Sequence, residues 1–423
     1  MCGRSCLLVL ALALAVGLGA VPESGADGGA DEWNQWRGPY RDGRVGAGAA
    51  PWPDGLGEDR LQPLWRVDLQ PSYSGPVVAG DLVITTETRD QEFEVVTALD
   101  RDSGEVRWEA SWEGVMRVPF FARANGSWIR ATPAHDGPGD RLLVAGMRDV
   151  LVCLRASTGE ELWRIDFVDR FETPVPSFGF VSSPLIDGDV AYVQAGASLA
   201  RVRMSDGEVE WRAMEDGGGM HGSAFSSPVI ETLAGRRQLL VQGRETLAGL
   251  APDTGDVLWS REVPSFRGMN ILTPLVLGDR VFTASYRHRA WAFEVSGADG
   301  SFHSDTAWEV NAAGYMSSPV EIDGHAYLHL QNQRFTCIDL ATGEQRWTSD
   351  RFGKYVSLVS QGNRILALDE RGELLLIEAN PDEFRLLGRR RVSDDECWAH
   401  LAVCGDRVYV RDLRALTAWR WAE

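Results

Sequence analysis

A glycine followed four residues later by a tryptophan recurs five times along this chain: Gly104 and Trp108, Gly159 and Trp163, Gly207 and Trp211, Gly255 and Trp259, Gly343 and Trp347. In the fullest copy, Cys337-Ile338-Asp339-Leu340-Ala341-Thr342-Gly343-Glu344-Gln345-Arg346-Trp347, the residues read as a strand, a tight turn and a second strand. Glycine suits the last position of such a turn, which needs a positive φ that a Cβ penalises. An even spacing along an extended strand keeps each tryptophan on one face. An internal repeat of this kind constrains the architecture more than any single residue does.

A second element marks the other end of each unit: two small residues, proline, an apolar residue, then a Gly-Asp or Gly-Asn turn. It stands at Ser74-Gly75-Pro76-Val77, Ala131-Thr132-Pro133, Ser182-Ser183-Pro184-Leu185, Ser226-Ser227-Pro228-Val229, Leu272-Thr273-Pro274-Leu275 and Ser317-Ser318-Pro319-Val320. Weaker copies follow at Ser357-Leu358-Val359 and Leu401-Ala402-Val403. Proline opens a strand where its missing N–H costs least, and the glycine turn makes a hairpin. Eight copies, with successive prolines from Pro133 to Pro319 spaced 44 to 51 residues apart, predict an all-β, eight-bladed β-propeller with four strands per blade. Trp108, Trp163, Trp211, Trp259, Trp308 and Trp347 then sit on outer strands as structural docking residues. The fifth blade has an extended hairpin before Trp308, and the seventh has Leu386 where a tryptophan would stand. The eighth copy supplies three strands, the third at Leu416 to Trp421, while Leu64 to Leu69, with Trp65, reads as a fourth strand without partners. Pairing the two predicts a ring closed between its ends, without an exposed sheet edge.

Residues 1–20 have one charge, Arg4, and an apolar run from Leu7 to Leu18, too short for a membrane span and right for a signal peptide. An uncleaved N-terminal anchor is the alternative. Residues 21–30 are expected to be disordered and residues 31–60, rich in Gly, Pro and Trp, to pack as an arm on a single propeller domain spanning 61–423. Cys153, Cys337, Cys397 and Cys404 read as free buried thiols, since the first two occupy a position for small residues in distant repeats. A net charge of −19 excludes a nucleic-acid partner and suits an exported, periplasmic or extracellular, protein expected to be monomeric.

The stretches Ala98 to Trp108 and Cys337 to Trp347 resemble the tryptophan-docking repeat of PQQ-like propellers, the group of quinoprotein alcohol dehydrogenases and the outer-membrane assembly factor BamB. The opening Trp33 to Pro39, followed by Arg41-Asp42-Gly43, is similar to the start of exported PQQ-like repeat proteins. The resemblance implies a propeller over residues 33–423. For the dehydrogenases it also implies a quinone cofactor held with calcium beside a disulfide of adjacent cysteines, a pair absent from the sequence after the leader.

Residues just before each innermost strand converge on one mouth of the central channel: Tyr73, Trp128, Arg130, Phe180, His221, Phe225, Asn270, Tyr315, Lys354, Tyr355, Trp398 and His400. Aromatics with a few cations and amides there form a candidate ligand site, or simply plug the channel. His325 and His329 lie on a strand with no accompanying carboxylates and read as structural; Glu396 near His400 reads as a surface pair; Asn125-Gly126-Ser127 fits a glycosylation sequon. Two functions fit: a non-catalytic exported propeller binding a protein or envelope component, and a PQQ- and calcium-dependent dehydrogenase using the mouth residues. A hydrolase or lyase has only fold analogy behind it.

Overall fold

The computed structural model describes residues 32–422 apart from 47, 220, 221, 223 and 299, so the expected leader at 1–20 and the segment 21–30 lie outside the described residues. Eight four-stranded antiparallel sheets make up the chain, arranged as the blades of a propeller. Blade 6 shows the plan, with strands Val320–Ile322, His325–His329, Arg334–Asp339 and Gln345–Arg351 running from the axis outward. Its middle strands are buried along most of their length because both faces are covered by neighbouring blades, whereas the outer strand alternates between half-buried and exposed residues. The described residues include one α-helix, the five-residue Phe167–Phe171, whose N-cap Asp166 accepts a hydrogen bond from the Asp169 N–H.

The ring closes through its two ends. Blade 8 is built from Ala402–Cys404, Arg407–Arg411 and Ala415–Trp421, and its outer strand is Leu61–Asp68 from the other end of the chain. The register runs from Leu61 opposite Trp421 to Asp68 opposite Ala415, with Trp65 opposite Ala418.

Packing explains the repeat. Opposite the outer-strand tryptophan stands a small residue: Ala98 facing Trp108, Cys153 facing Trp163, Gly249 facing Trp259, Ala292 facing Trp308, Cys337 facing Trp347. Arg201 facing Trp211 is the exception. The tryptophan ring does not cover its own turn; it lies on the turn of the following blade. A Cβ added to Gly104, Gly159, Gly207, Gly255 or Gly343 would fall 2.8, 2.5, 2.7, 2.8 or 2.6 Å from the ring of Trp65, Trp108, Trp163, Trp211 or Trp308. These glycines also hold φ between 73° and 78°, so steric room and backbone conformation both demand glycine. The indole N–H adds a polar link to the same turn: Trp65 to Arg101 O (3.1 Å), Trp108 to Ala156 O (3.0 Å), Trp163 to Met204 O (2.9 Å) and Trp308 to Leu340 O (3.0 Å). Trp347 reaches Asn380 O at 2.7 Å in the turn of blade 7.

Trp259 departs from the expected pattern. Its Nε1 donates to Gln238 Oε1 at 2.7 Å within its own blade, and its ring covers Gly249. The cause is blade 5, whose strands Ala290–Ala298 and Ser301–Val310 run on into a long hairpin, so no tight glycine turn lies beside Trp259 to receive it. Cys153, Cys337, Cys397 and Cys404 are buried and form no disulfide.

Closure through Trp65 gives a first prediction. Trp65→Ala removes both the cover on Gly104 and the bond to Arg101 O, and is expected to destabilise the whole ring by about 3–5 kcal/mol. Denaturant unfolding followed by tryptophan fluorescence and by circular dichroism should shift together as one transition; separate loss of the Leu61–Asp68 strand, with the other blades unchanged, would contradict the closure argument.

Candidate functional site

The arm at residues 33–46 fills the central channel and touches every blade. Trp33 O accepts from the Val78 N–H of blade 1 (2.9 Å), and Asn34 O from the His135 N–H of blade 2 (2.8 Å). Arg41 donates to Pro184 O (2.7 Å) and Ser183 O (3.0 Å) in blade 3 and to Pro228 O (2.8 Å) in blade 4. Trp36 Nε1 donates to Thr273 Oγ1 of blade 5 at 3.0 Å, and Arg37 Nη2 to Pro319 O of blade 6. Val45 and Gly43 exchange hydrogen bonds with Ser360 of blade 7 at 2.9 and 2.8 Å, and the Trp36 ring meets His400 of blade 8 at 5.0 Å. From there the chain crosses blade 7, where Gln361 holds Trp52 and Arg364 holds Asp54, and enters the outer strand of blade 8.

The repeated prolines supply this plug with acceptors. A proline carbonyl at the start of an innermost strand has no neighbour strand on the axial side, so it points to the channel and needs a donor. Arg37 and Arg41 provide them without a carboxylate ion pair. Burial lowers their pKa values to about 10 and about 9, Arg37 further depressing Arg41, so both keep their charge at neutral pH. The small residues beside each proline form a second girdle: Gly75 N–H donates to Thr132 Oγ1 (3.2 Å), Thr132 N–H to Ser183 Oγ (3.0 Å), and Ser183 N–H to Ser227 Oγ (2.9 Å). Thr273 N–H donates likewise to Ser318 Oγ at 2.9 Å.

Above the plug, Tyr73, Arg130, Phe225, Tyr355, Trp398 and His400 share one axial recess of about 110 Å³, with Trp36 also in its lining. An arc of touching rings crosses the rim: Tyr286 stacked on Tyr315 (4.4 Å), Tyr315 tilted against Tyr355 (5.5 Å), Tyr355 edge-on to Trp398 (4.2 Å) and Trp398 stacked on Tyr73 (4.6 Å). Arg130 ends it, its guanidinium 5.3 Å from the Tyr73 ring. A second arc joins Phe120, Phe121, Phe178 and Phe225, with Arg244 over Phe225 at 5.2 Å.

Other mouth candidates stand elsewhere. Phe180 is buried and lines a separate recess between blades 3 and 4. Asn270 is buried with its amide donating to Val263 O (2.8 Å) and Arg244 O (2.9 Å), a structural tie. Lys354 is exposed, and His221 lies outside the described residues. Glu396 accepts from Trp398 Nε1 at 2.6 Å, while His400 Nδ1 meets Leu401 O at 2.9 Å and its ring is buried, so these two do not form the surface pair expected from sequence. Burial and the nearby Arg37 push the His400 pKa down to about 3, leaving a neutral ring. Sequence reasoning missed Trp36, Arg37 and Arg41; the WNQWRGPYR run was visible, but its place inside the channel was not.

The recess does not fit the quinone and calcium that the resemblance implied. A tricyclic quinone with three carboxylates needs a pocket of at least about 300 Å³, and calcium takes six to eight oxygen ligands. The recess is smaller, floored by Trp36, and its lining holds no carboxylate. Among the described residues no group of three or more His, Cys, Asp or Glu side chains is placed to hold a metal.

The blades and the repeat define a PQQ-like β-propeller. A family model described as outer membrane protein assembly factor BamB matches residues 58–124 and 92–349, and the chain belongs to that family. The outer membrane protein assembly factor BamB of Moranella endobia is 20% identical over 317 residues, covering 71% of this chain and 74% of its own. The crystal structure of BamB from Moraxella catarrhalis superposes with a TM-score of 0.63 at 17% identity, covering 85% of this chain and 99% of that one. The quinohemoprotein alcohol dehydrogenase of Comamonas testosteroni superposes with a TM-score of 0.64 at 13% identity, covering 94% and 81%. These structural likenesses concern the fold.

Two outcomes follow from the plug. Arg41→Met leaves carbonyls of blades 3 and 4 without donors and should cost about 3 kcal/mol or more in denaturant unfolding. For His400, the folded pKa lies below the unfolded value, so the unfolded state binds the extra proton and stability falls as pH drops from about 6.5 towards 3. Relative to His400→Asn, the wild-type chain should therefore lose stability over that window, and equal pH profiles would refute a buried neutral histidine.

Proposed function

We propose that this chain is a non-catalytic, exported binding or scaffold propeller that engages a protein or envelope component through its mouth face. The observation that carries this is the combination of a channel filled by the chain's own arm with a rim of half-exposed aromatics. A plugged axis leaves little room for an enclosed substrate, whereas flat aromatic arcs ending in arginine are the side chains from which protein-binding hot spots are made. Phe120 is 79% and Phe121 52% exposed, high for rings with no role in the core.

Charge points the same way. The connection from Gly114 to Pro133 carries Arg117, Arg123 and Arg130 and no acidic residue, in a chain of net charge −19. A local cationic rim on an acidic protein steers towards an acidic patch on a partner. Residues 1–20, read as an export leader, and family membership with an outer membrane assembly factor support an envelope setting. We read the propeller as one domain over residues 61–423 with the arm as its axial insert, acting as a monomer.

The test places a photo-crosslinking residue at Phe121 in cells and compares it with the same probe in a Tyr355→Ala, Trp398→Ala background. An adduct of one defined mass, weakened in that background, is expected. A uniform smear, or no adduct, would count against the mouth face. Turnover of alcohols with an artificial electron acceptor, on adding PQQ and calcium to purified protein, would overturn the non-catalytic reading in favour of the dehydrogenase.

A further inference from the structure

The larger opening on the mouth face is off the axis. Between blades 3 and 4 lies a recess of about 660 Å³, within the range of small-molecule sites. Phe180, Leu199 and Met214 give it apolar wall, and Asp149, Asp216 and Glu245 are among its carboxylates. Asp149 is 1% exposed and sits at the inner end, whereas Asp216 and Glu245 are exposed at the rim.

Asp149 is the telling residue. Its Oδ2 accepts from the Gly196 N–H at 2.7 Å, and no other side-chain hydrogen bond or ion pair reaches it among the described residues. A buried carboxylate with one neutral donor and no cation is poorly compensated unless something else supplies the charge. Burial, with Asp166 and Asp216 nearby, raises its pKa to about 7. Arg244 stacks on Phe225, donates to Arg267 O and lies near Asp216 and Glu245 at the rim, while Arg267 stacks on Phe266 at 5.1 Å; neither cation acts on Asp149. Backbone strain gathers here too, because Asp149, Ala197, Met214 and Arg267 all hold positive φ without being glycine.

We infer that this recess binds a small organic cation, an alkyl ammonium or guanidinium compound, with its charged head against Asp149 and its chain along Phe180, Leu199 and Met214. The rim carboxylates Asp216 and Glu245 attract the ligand and select against anions. An organic cation fits better than a metal ion, since the carboxylates are spread from inner end to rim and do not gather into a coordination group among the described residues. The site is separate from the axial recess and stands or falls independently of the scaffold reading.

The test is calorimetry and thermal shift on the full chain with cadaverine, agmatine and lysine amide, against pentanediol and glutarate as neutral and anionic counterparts. At least one cation is expected to bind saturably and raise Tm, with the diol and diacid inert. Asp149→Asn keeps an acceptor for the Gly196 N–H and should weaken that binding by about tenfold or more. Glu245→Gln, at the exposed rim, should weaken it by a smaller factor and serves if the buried variant does not fold. Absence of saturable binding by every cation at about 10 mM would overturn the proposal. So would pentanediol binding as tightly as cadaverine, or wild-type affinity in both variants.

Discussion

A tryptophan laid on a glycine of the next blade is the contact on which the structure depends. Each such pair joins one blade to its successor by apolar area and by a turn conformation that only glycine adopts easily, and all but Trp211 on Gly255 add an indole N–H to a turn carbonyl. The contact is directional, running from an outer strand to the turn of the next blade, and it recurs at five of the eight blade junctions. Trp65 on Gly104 is the one at the closure, made between an outer strand from one end of the chain and the first blade.

Much of this was legible in the sequence because its cause is local and repeated. The glycine and tryptophan spacing reports strand pleat and turn geometry, and the incomplete eighth copy beside an unattached Leu64 to Leu69 strand reports closure. What was not legible was the partner of each ring. Spacing alone suggests that Trp108 belongs with Gly104, four residues before it, yet Trp65 occupies Gly104 and Trp108 goes on to Gly159. Trp259 was unreadable for a related reason, since its fate is decided by the length of a hairpin in another blade.

The candidate site was legible only in outline. Tyr73, Arg130, Tyr355, Trp398 and His400 were drawn together by the simple rule that residues preceding innermost strands surround the axis, and they do meet there. The same rule did not place Phe180 and Asn270, because a connection long enough to turn back can bury a side chain in an off-axis recess, as with Phe180, or tie it to neighbouring backbone, as with Asn270. The rule also says nothing of what fills the axis. Carbonyls of Pro184, Pro228 and Pro319 are silent in a sequence, and so is their demand for the guanidinium groups of Arg37 and Arg41. Two buried cations neutralised by peptide dipoles, with no paired carboxylate, make an axis that is satisfied only when all the contributing blades are in place.

That last condition bears on the order of assembly. The segment from Trp33 to Val45 leaves the ribosome before any blade, yet its bonding partners extend from Val78 to His400. It has nowhere to settle until the final repeat has been made, and must wait unsatisfied while the rest of the chain gathers around it. A segment made ahead of all eight blades thus finds its full set of partners only after the last of them exists, and its seating ties the blades together at the axis.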